Sequence, residues 1–256
     1  MAIARQTMVI ATLATLACAA AKAGTTTFFG EDLGSGDFLA PRLTSTPNAD
    51  AASLSFQGAL TGVGTEDFES FANGASAPLG VSFPGSTGSI TATLNGTGSV
   101  NKLTSGTFVG RYPTSGDNYW ETSDSFSITF SQPIAALGFF ATDIGDFAGQ
   151  VELTLTNGGT EIINIGNTTG TSGTIGGGVL FFGLVKTAGE TFTSVTFGNT
   201  AAGFDFFGFD DFTIGDVGQL AGGGNFIVPL PTSAALGAVG LACAIGAPRR
   251  RRITRS

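Results

Sequence analysis

Short runs of this chain alternate strictly between apolar and polar residues, and no other feature restricts its fold as much. Phe126-Ser127-Ile128-Thr129-Phe130, Val151-Glu152-Leu153-Thr154-Leu155 and Val195-Thr196-Phe197 each repeat with a period of two. Successive side chains on a strand point to opposite faces, so each run predicts a strand with one buried face. Gly138-Phe139-Phe140-Ala141 and Val179-Leu180-Phe181-Phe182 are continuously apolar, the pattern of strands covered on both sides. Asn157-Gly158-Gly159 predicts a hairpin turn, because Asn and Gly tolerate the positive φ that tight turns need. Lys/Glu-rich helical segments are absent, and the 23 Phe outnumber all other aromatics. The expectation is an all-β fold of roughly 10 to 13 strands, a two-sheet sandwich of jelly-roll type.

One short N-terminal helix is expected inside this frame. Asn48 or Asp50 can cap it, Ala52, Phe56, Ala59 and Leu60 follow at helical spacing, and Gly62-Val63-Gly64 ends it. The stretch from Gly166 to Gly178 is low in complexity and predicts a flexible surface loop. Gly222-Gly223-Gly224 predicts a linker. The resulting division is 1–23 as a signal peptide, 24–221 as the sandwich, 222–227 as the linker and 228–256 as a C-terminal tail.

Both ends look like addresses. Arg5, the apolar run from Met8 to Ala21 and the Ala21-Lys22-Ala23 tripeptide have the order of an export signal, so the mature chain is expected to begin at Gly24. The tail carries Val228-Pro229-Leu230-Pro231, then an apolar run from Ala234 to Ala247, then Arg249, Arg250, Arg251 and Arg252. A helix over that apolar run reaches only ~21 Å against a hydrocarbon core of ~30 Å. Including the segment from Leu230 gives marginal length for a hydrophobic tail helix, with the arginines held on the cytoplasmic side. The two prolines keep the entry segment extended and accessible.

This tripartite tail resembles a PEP-CTERM sorting signal, with Leu230 where the usual tetrad has Glu. The N-terminal signal implies export through the Sec translocon and signal peptidase, and the resemblance of the tail implies transient inner-membrane anchoring and recognition by an exosortase near Val228–Pro231. It also implies delivery to the cell surface, outer membrane or extracellular matrix of a diderm, exopolysaccharide-producing bacterium. The run from Gly110 to Gly215, with its GRYPTSG, NYWET, TDIGDF and FGFDDFTIG stretches, is similar to domains that precede such tags.

Composition then excludes several chemistries. Between Gly24 and Ile227 lie four basic residues (Arg42, Lys102, Arg111, Lys186) and all 19 acidic ones, a net charge of −15. Such a surface repels nucleic acid and attracts divalent cations. Cys18 and Cys243, the only cysteines, fall in the targeting segments, so no disulfide is expected in the domain. The chain has no histidine, which removes Ser-His-Asp and Cys-His catalysis and the common zinc sites. Neither a GxSxG elbow, nor a P-loop, nor a dinucleotide fingerprint is present.

The acidic residues cluster. Glu66-Asp67-Phe68-Glu69 opens an early strand, Asp143 and Asp146 bracket a turn, and Asp205 precedes Asp210-Asp211 on the last strand. If those two strands lie side by side, Glu66, Asp67, Glu69, Asp210 and Asp211 can share a Ca2+ ion, which takes oxygen ligands only. The alternative is that they are turn formers and solvated surface groups. An acid pair would also suit glycoside hydrolysis, but nothing in the sequence places one in a pocket. The arrangement resembles MAM-type and carbohydrate-binding-module jelly rolls, some of which bind a structural calcium.

The only Trp and both Tyr fall in RYPTSGDNYW. Tyr112, Tyr119 and Trp120 can stack on sugar rings while Arg111, Asp117 and Asn118 bond hydroxyls; the alternative is that the rings cover the end of the sandwich. The expectation is a non-enzymatic surface or matrix protein with a structural or binding role linked to exopolysaccharide. A carbohydrate-binding adhesin with a structural calcium is the alternative, and a polysaccharide hydrolase a remote third.

Overall fold

Each alternating run becomes a strand, and the strands form two antiparallel sheets packed face to face. The structure, a computed structural model, describes residues 24–34, 42–103, 110–145, 150–156, 159–171, 176–200 and 205–224. The expected signal peptide, the sorting tail from Val228 to Ser256 and Asp146 lie outside the described residues. No helix among the described residues is long and apolar enough to cross a membrane.

The chain begins with β1 (Thr25–Asp32), α1 (Pro47–Gln57), β2 (Thr65–Glu66), β3 (Leu79–Gly85), β4 (Gly88–Gly96) and β5 (Ser99–Lys102). There follow β6 (Asn118–Thr122), β7 (Phe126–Ile134), β8 (Ala136–Thr142), β9 (Val151–Thr156) and β10 (Thr160–Asn164). The last strands are β11 (Val179–Lys186), β12 (Phe192–Asn199) and β13 (Phe207–Gly215). A seven-stranded sheet has the order β1-β11-β8-β13-β6-β5, with β2 also paired to β13; a six-stranded sheet has the order β10-β9-β12-β7-β4-β3. From β6 to β9, and again from β11 to β13, successive strands cross between the two sheets. β9 and β10 form the hairpin expected around Asn157-Gly158-Gly159, of which Asn157 and Gly158 lie outside the described residues.

The main core lies between the sheets and is largely phenylalanine. Phe126 and Phe197 stack at 4.4 Å, and Phe139, Phe209 and Phe212 close around them edge-on or tilted. Burying each such side chain contributes about 1.5–3 kcal/mol. A second apolar layer covers the outside of the seven-stranded sheet, where α1 lies across β1, β11 and β8. This explains the continuous apolar runs: every residue of β11 is buried. Phe56 of α1, fully buried, sits over the paired glycines Gly138 and Gly183. A Cβ at either would come within 2.5 or 2.6 Å of its ring.

The helix starts earlier than expected. Pro47 occupies its first turn and Thr46 is the N-cap, so neither Asn48 nor Asp50 caps it. The free amides of the first turn are taken by the end of β1 instead: Asp32 accepts from the backbone N–H groups of Asn48 (3.0 Å) and Ala49 (2.9 Å). α1 also stops at Gln57 rather than Gly62, and Ala59 and Leu60 bury themselves in the following turn. Gly222–Gly224, expected as linker, belong to a 3-10 turn whose Ala221 N–H bonds the Ala59 carbonyl at 2.9 Å. The described part of the 166–178 loop has no regular structure but is anchored, with the Thr168 N–H and hydroxyl both donating to Glu31.

Candidate functional site

The acidic motifs and the aromatic loop form one assembly. β2 pairs with β13, Glu66 opposite Phe212, so the early and late acidic stretches do lie side by side. Asp67 and Glu69 follow this strand rather than open it. Consecutive residues of a regular strand point to opposite faces, which would separate Asp210 from Asp211. A bulge prevents this: the β13–β8 register shifts between Asp210 and Thr213, and Asp211 adopts a left-handed φ of 51°. Phe209 and Phe212 therefore both enter the core, and the two carboxylates between them emerge together on the outer side.

Both carboxylates grip the segment Thr114–Asn118. Asp210 Oδ2 accepts from the N–H groups of Thr114 (2.7 Å) and Ser115 (3.1 Å), and Asp211 from the hydroxyls of Thr114 (2.8 Å) and Ser115 (2.7 Å). Glu69 Oε1 accepts the N–H groups of Asp117 and Asn118, both at 2.6 Å. Asn118 then donates its amide to the carbonyls of Phe68 (3.0 Å) and Phe71 (3.2 Å). From the opposite side, Arg42 donates to the carbonyls of Thr114 and Gly116. Glu66 and Asp67 close local turns, accepting from the N–H groups of Phe68 and Glu69.

Burial, and next the neighbouring Asp211 charge, pushes the Asp210 carboxyl well above the usual carboxylate range. Burial raises Asp211 and Glu66 as well. Thr114 Oγ1 lies 3.1 Å from Asp210 Oδ2 and 2.8 Å from Asp211 Oδ2, so one hydroxyl bridges the two carboxyls. Asp210 is 1% exposed and presents nothing to a substrate. Among the described residues no group of three or more acidic side chains is placed to hold a metal ion. The carboxylate oxygens of Asp210, Asp211 and Glu69 are turned toward backbone amides and hydroxyls.

The sugar-stacking arrangement expected of the aromatic loop is corrected by burial. Trp120 is 0% exposed, a core residue stacked on Phe68 at 6.2 Å. Tyr119 alternates with it to the outer side, donates to Glu121 (3.0 Å) and is also buried; desolvation and then the Glu121 charge raise its phenol. Tyr112, raised by burial, donates to the Gly177 carbonyl (2.7 Å) and accepts from the Leu43 N–H (3.0 Å). The polar residues scatter too. Arg111 pairs with Glu121, lies 3.8 Å from Asp143 and covers the Phe206 ring; Asp117 pairs with Lys102 at 3.3 Å, and Asn118 is buried. Asn118, Tyr119 and Trp120 are drawn inward by their place on β6, which lies inside the sheet between β5 and β13, whereas Asp117 stays exposed.

Sequence reasoning missed Thr114, Ser115 and Arg42 as partners of the acidic pair. The signal available was the Thr-Ser-Gly turn inside the aromatic loop, whose hydroxyls and free amides need acceptors. Recesses with polar linings lie elsewhere among the described residues. One of about 570 Å³ is lined by Arg42, Thr44, Ser45, Thr46, Asp50 and Tyr112. One of about 230 Å³ lies at Glu161, Lys186 and Glu190, where the buried Lys186 ammonium donates to Thr25, Glu161 and Glu190 and ties the two sheets together.

No protein-family model matches the sequence, and no curated protein does. The chain is similar to three solved β domains at low identity. The K2 cleaved adhesin domain of Lys-gingipain is 16% identical over 59% of this chain and 97% of its own, with a TM-score of 0.36. The CBM22-1 xylan-binding domain from Paenibacillus barcinonensis is 14% identical over 63% and 97%, at 0.31. TmCBM61, solved with β-1,4-galactotriose, is 14% identical over 58% and 93%, at 0.25.

Proposed function

We propose that this is an exported cell-surface or matrix protein that acts by binding or by structure on exopolysaccharide, without catalysis, and is sorted through its C-terminal tail. The observation that carries the reading is how the expected cleavage point meets the fold. β1 begins at Thr25, one residue past the expected start at Gly24, and the Gly24 carbonyl accepts from Thr187 N–H at 2.9 Å. Removal of 1–23 thus leaves every strand among the described residues whole. The acidic and aromatic groups that could have served chemistry are instead engaged in holding the sandwich, which supports a binding or structural role over turnover.

The test is to express the full chain in an exopolysaccharide-producing diderm host that carries an exosortase. The recovered protein should begin at Gly24 by intact mass, end before the arginine cluster, and fractionate with the matrix; deletion of 228–256 should change that fraction. Full-length protein retaining Met1 in the cytoplasm would refute the reading.

A further inference from the structure

Among the described residues, helix α1 and its apolar layer cover the seven-stranded sheet, and none of them covers the outer face of the six-stranded sheet, which is a broad regular surface. Its register aligns hydroxyls. Thr93 of β4, Thr129 of β7, Ser194 of β12 and Thr156 of β9 stand side by side in one row. Ser127, Thr196 and Thr154 form the next row on the same three strands, β7, β12 and β9. All point away from the core, between the buried positions Ile128, Val195, Phe197 and Leu155, and all are exposed or half-exposed. Neighbouring strands lie ~4.8 Å apart and same-face residues ~6.7 Å apart along a strand, so the rows make a lattice of hydroxyls with threonine methyls beside them.

Charge distinguishes this face from the rest. The domain carries four basic and nineteen acidic residues. Along β3, β4, β7, β9, β10 and β12, the outward positions hold one charged side chain, Glu152. A polyanion gains nothing from such a surface and is repelled by the domain around it. A neutral polyhydroxylated chain meets donors, acceptors and C–H groups like its own, with no charge to desolvate.

We propose that the outer face of the six-stranded sheet binds neutral polysaccharide as an extended chain; this rests on the exopolysaccharide reading above. Among the described residues no aromatic ring stands outward in these rows, so a single sugar has little to hold it. Exchanging a water–hydroxyl bond for a sugar–hydroxyl bond gains little, and affinity comes from repetition along the chain. Binding is therefore strong to polymer, undetectable to short oligosaccharides, and indifferent to salt and to chelators.

The test is co-sedimentation of the protein recovered from the full-chain expression with deproteinised, insoluble exopolysaccharide from the producing cells, with alginate as the polyanion control. Two double variants alter the face: Thr129→Glu with Thr196→Glu, and Thr129→Val with Thr196→Val, the latter keeping β-branched strand residues in place. The Glu pair should weaken retention at least about tenfold and the Val pair by a smaller factor, with melting temperatures near wild type. If the Glu pair fails to fold, the Val pair decides. Retention of wild type with unchanged retention of the folded variants would overturn the assignment of this face and leave the exopolysaccharide reading standing. No retention of wild type would overturn both.

Discussion

Replacing Trp120 separates a core role from a ligand-binding one. Its indole is 0% exposed, stacked on Phe68 and tilted against Phe126 at 6.2 Å each, and Gly98 lies against the ring. Trp120→Ala removes those contacts and leaves a cavity that surrounding rings cannot fill, costing about 3–5 kcal/mol. For a domain near 200 residues that lowers the melting temperature by roughly 6–20 °C. Trp120→Phe makes a sharper comparison. The buried indole N–H finds no acceptor among the described residues, so the phenyl ring loses volume but also removes an unsatisfied donor. The two effects offset, and the Phe variant should stay within about 1.5 kcal/mol of wild type. Urea unfolding followed by far-ultraviolet circular dichroism measures both, since the variants lack the only tryptophan. If Trp120→Ala kept wild-type stability and lost polysaccharide binding, the ring would be a ligand platform and the packing described here would be wrong.

Gly183→Ala should destabilise by about 1–3 kcal/mol in the same assay, because its Cβ would fall 2.6 Å from a Phe56 ring held by Phe28 and Phe181. The acidic pair predicts a pH dependence. Burial raises the Asp210 and Asp211 carboxyls, so the folded chain binds protons that the unfolded chain releases more easily; the stability linked to them is full at low pH and is lost as pH rises from about 4 through the raised folded values. Urea midpoints should fall over that range, and Asp211→Asn, which removes the neighbouring charge, should flatten the slope. At the other edge, Lys186→Met should stay within about 1 kcal/mol of wild type, whereas Glu161→Ala with Glu190→Ala should cost about 3–5 kcal/mol by stranding a buried ammonium.

The strands were legible because their pattern is local. Phe126–Phe130 and Val151–Leu155 display their buried face in the sequence, and the unbroken runs at Gly138 and Val179 indicate cover on both sides, which α1 supplies. The neighbouring of Glu66 with Asp210 followed from the pairing of an early and a late strand. What those carboxylates do was not legible. Their partners are amides and hydroxyls of Thr114 and Ser115, nearly a hundred residues from Asp210, and the bulge that aims both oxygens the same way leaves no compositional mark. The aromatic loop misled for a related reason: Asn-Tyr-Trp-Glu-Thr reads as a polar, ligand-facing stretch, but β6 lies inside a sheet, where the Asn118 amide turns to the carbonyls of Phe68 and Phe71 and Glu121 pairs with Arg111. Helix α1 was displaced by a contact no local rule contains, the Asp32 carboxylate at its first amides.

Hydrogen exchange in the segment Thr114–Asn118 tests most directly the claim that the acidic motifs are internal struts. The amides of Thr114, Ser115, Asp117 and Asn118 all donate to carboxylates of Asp210 or Glu69, although Thr114 to Asp117 belong to no strand or helix. They should be strongly protected in EDTA, and adding calcium should leave their rates unchanged. Rapid exchange in EDTA that slows when calcium is added would contradict the account, and would mean that those carboxylates hold an ion before they hold the loop.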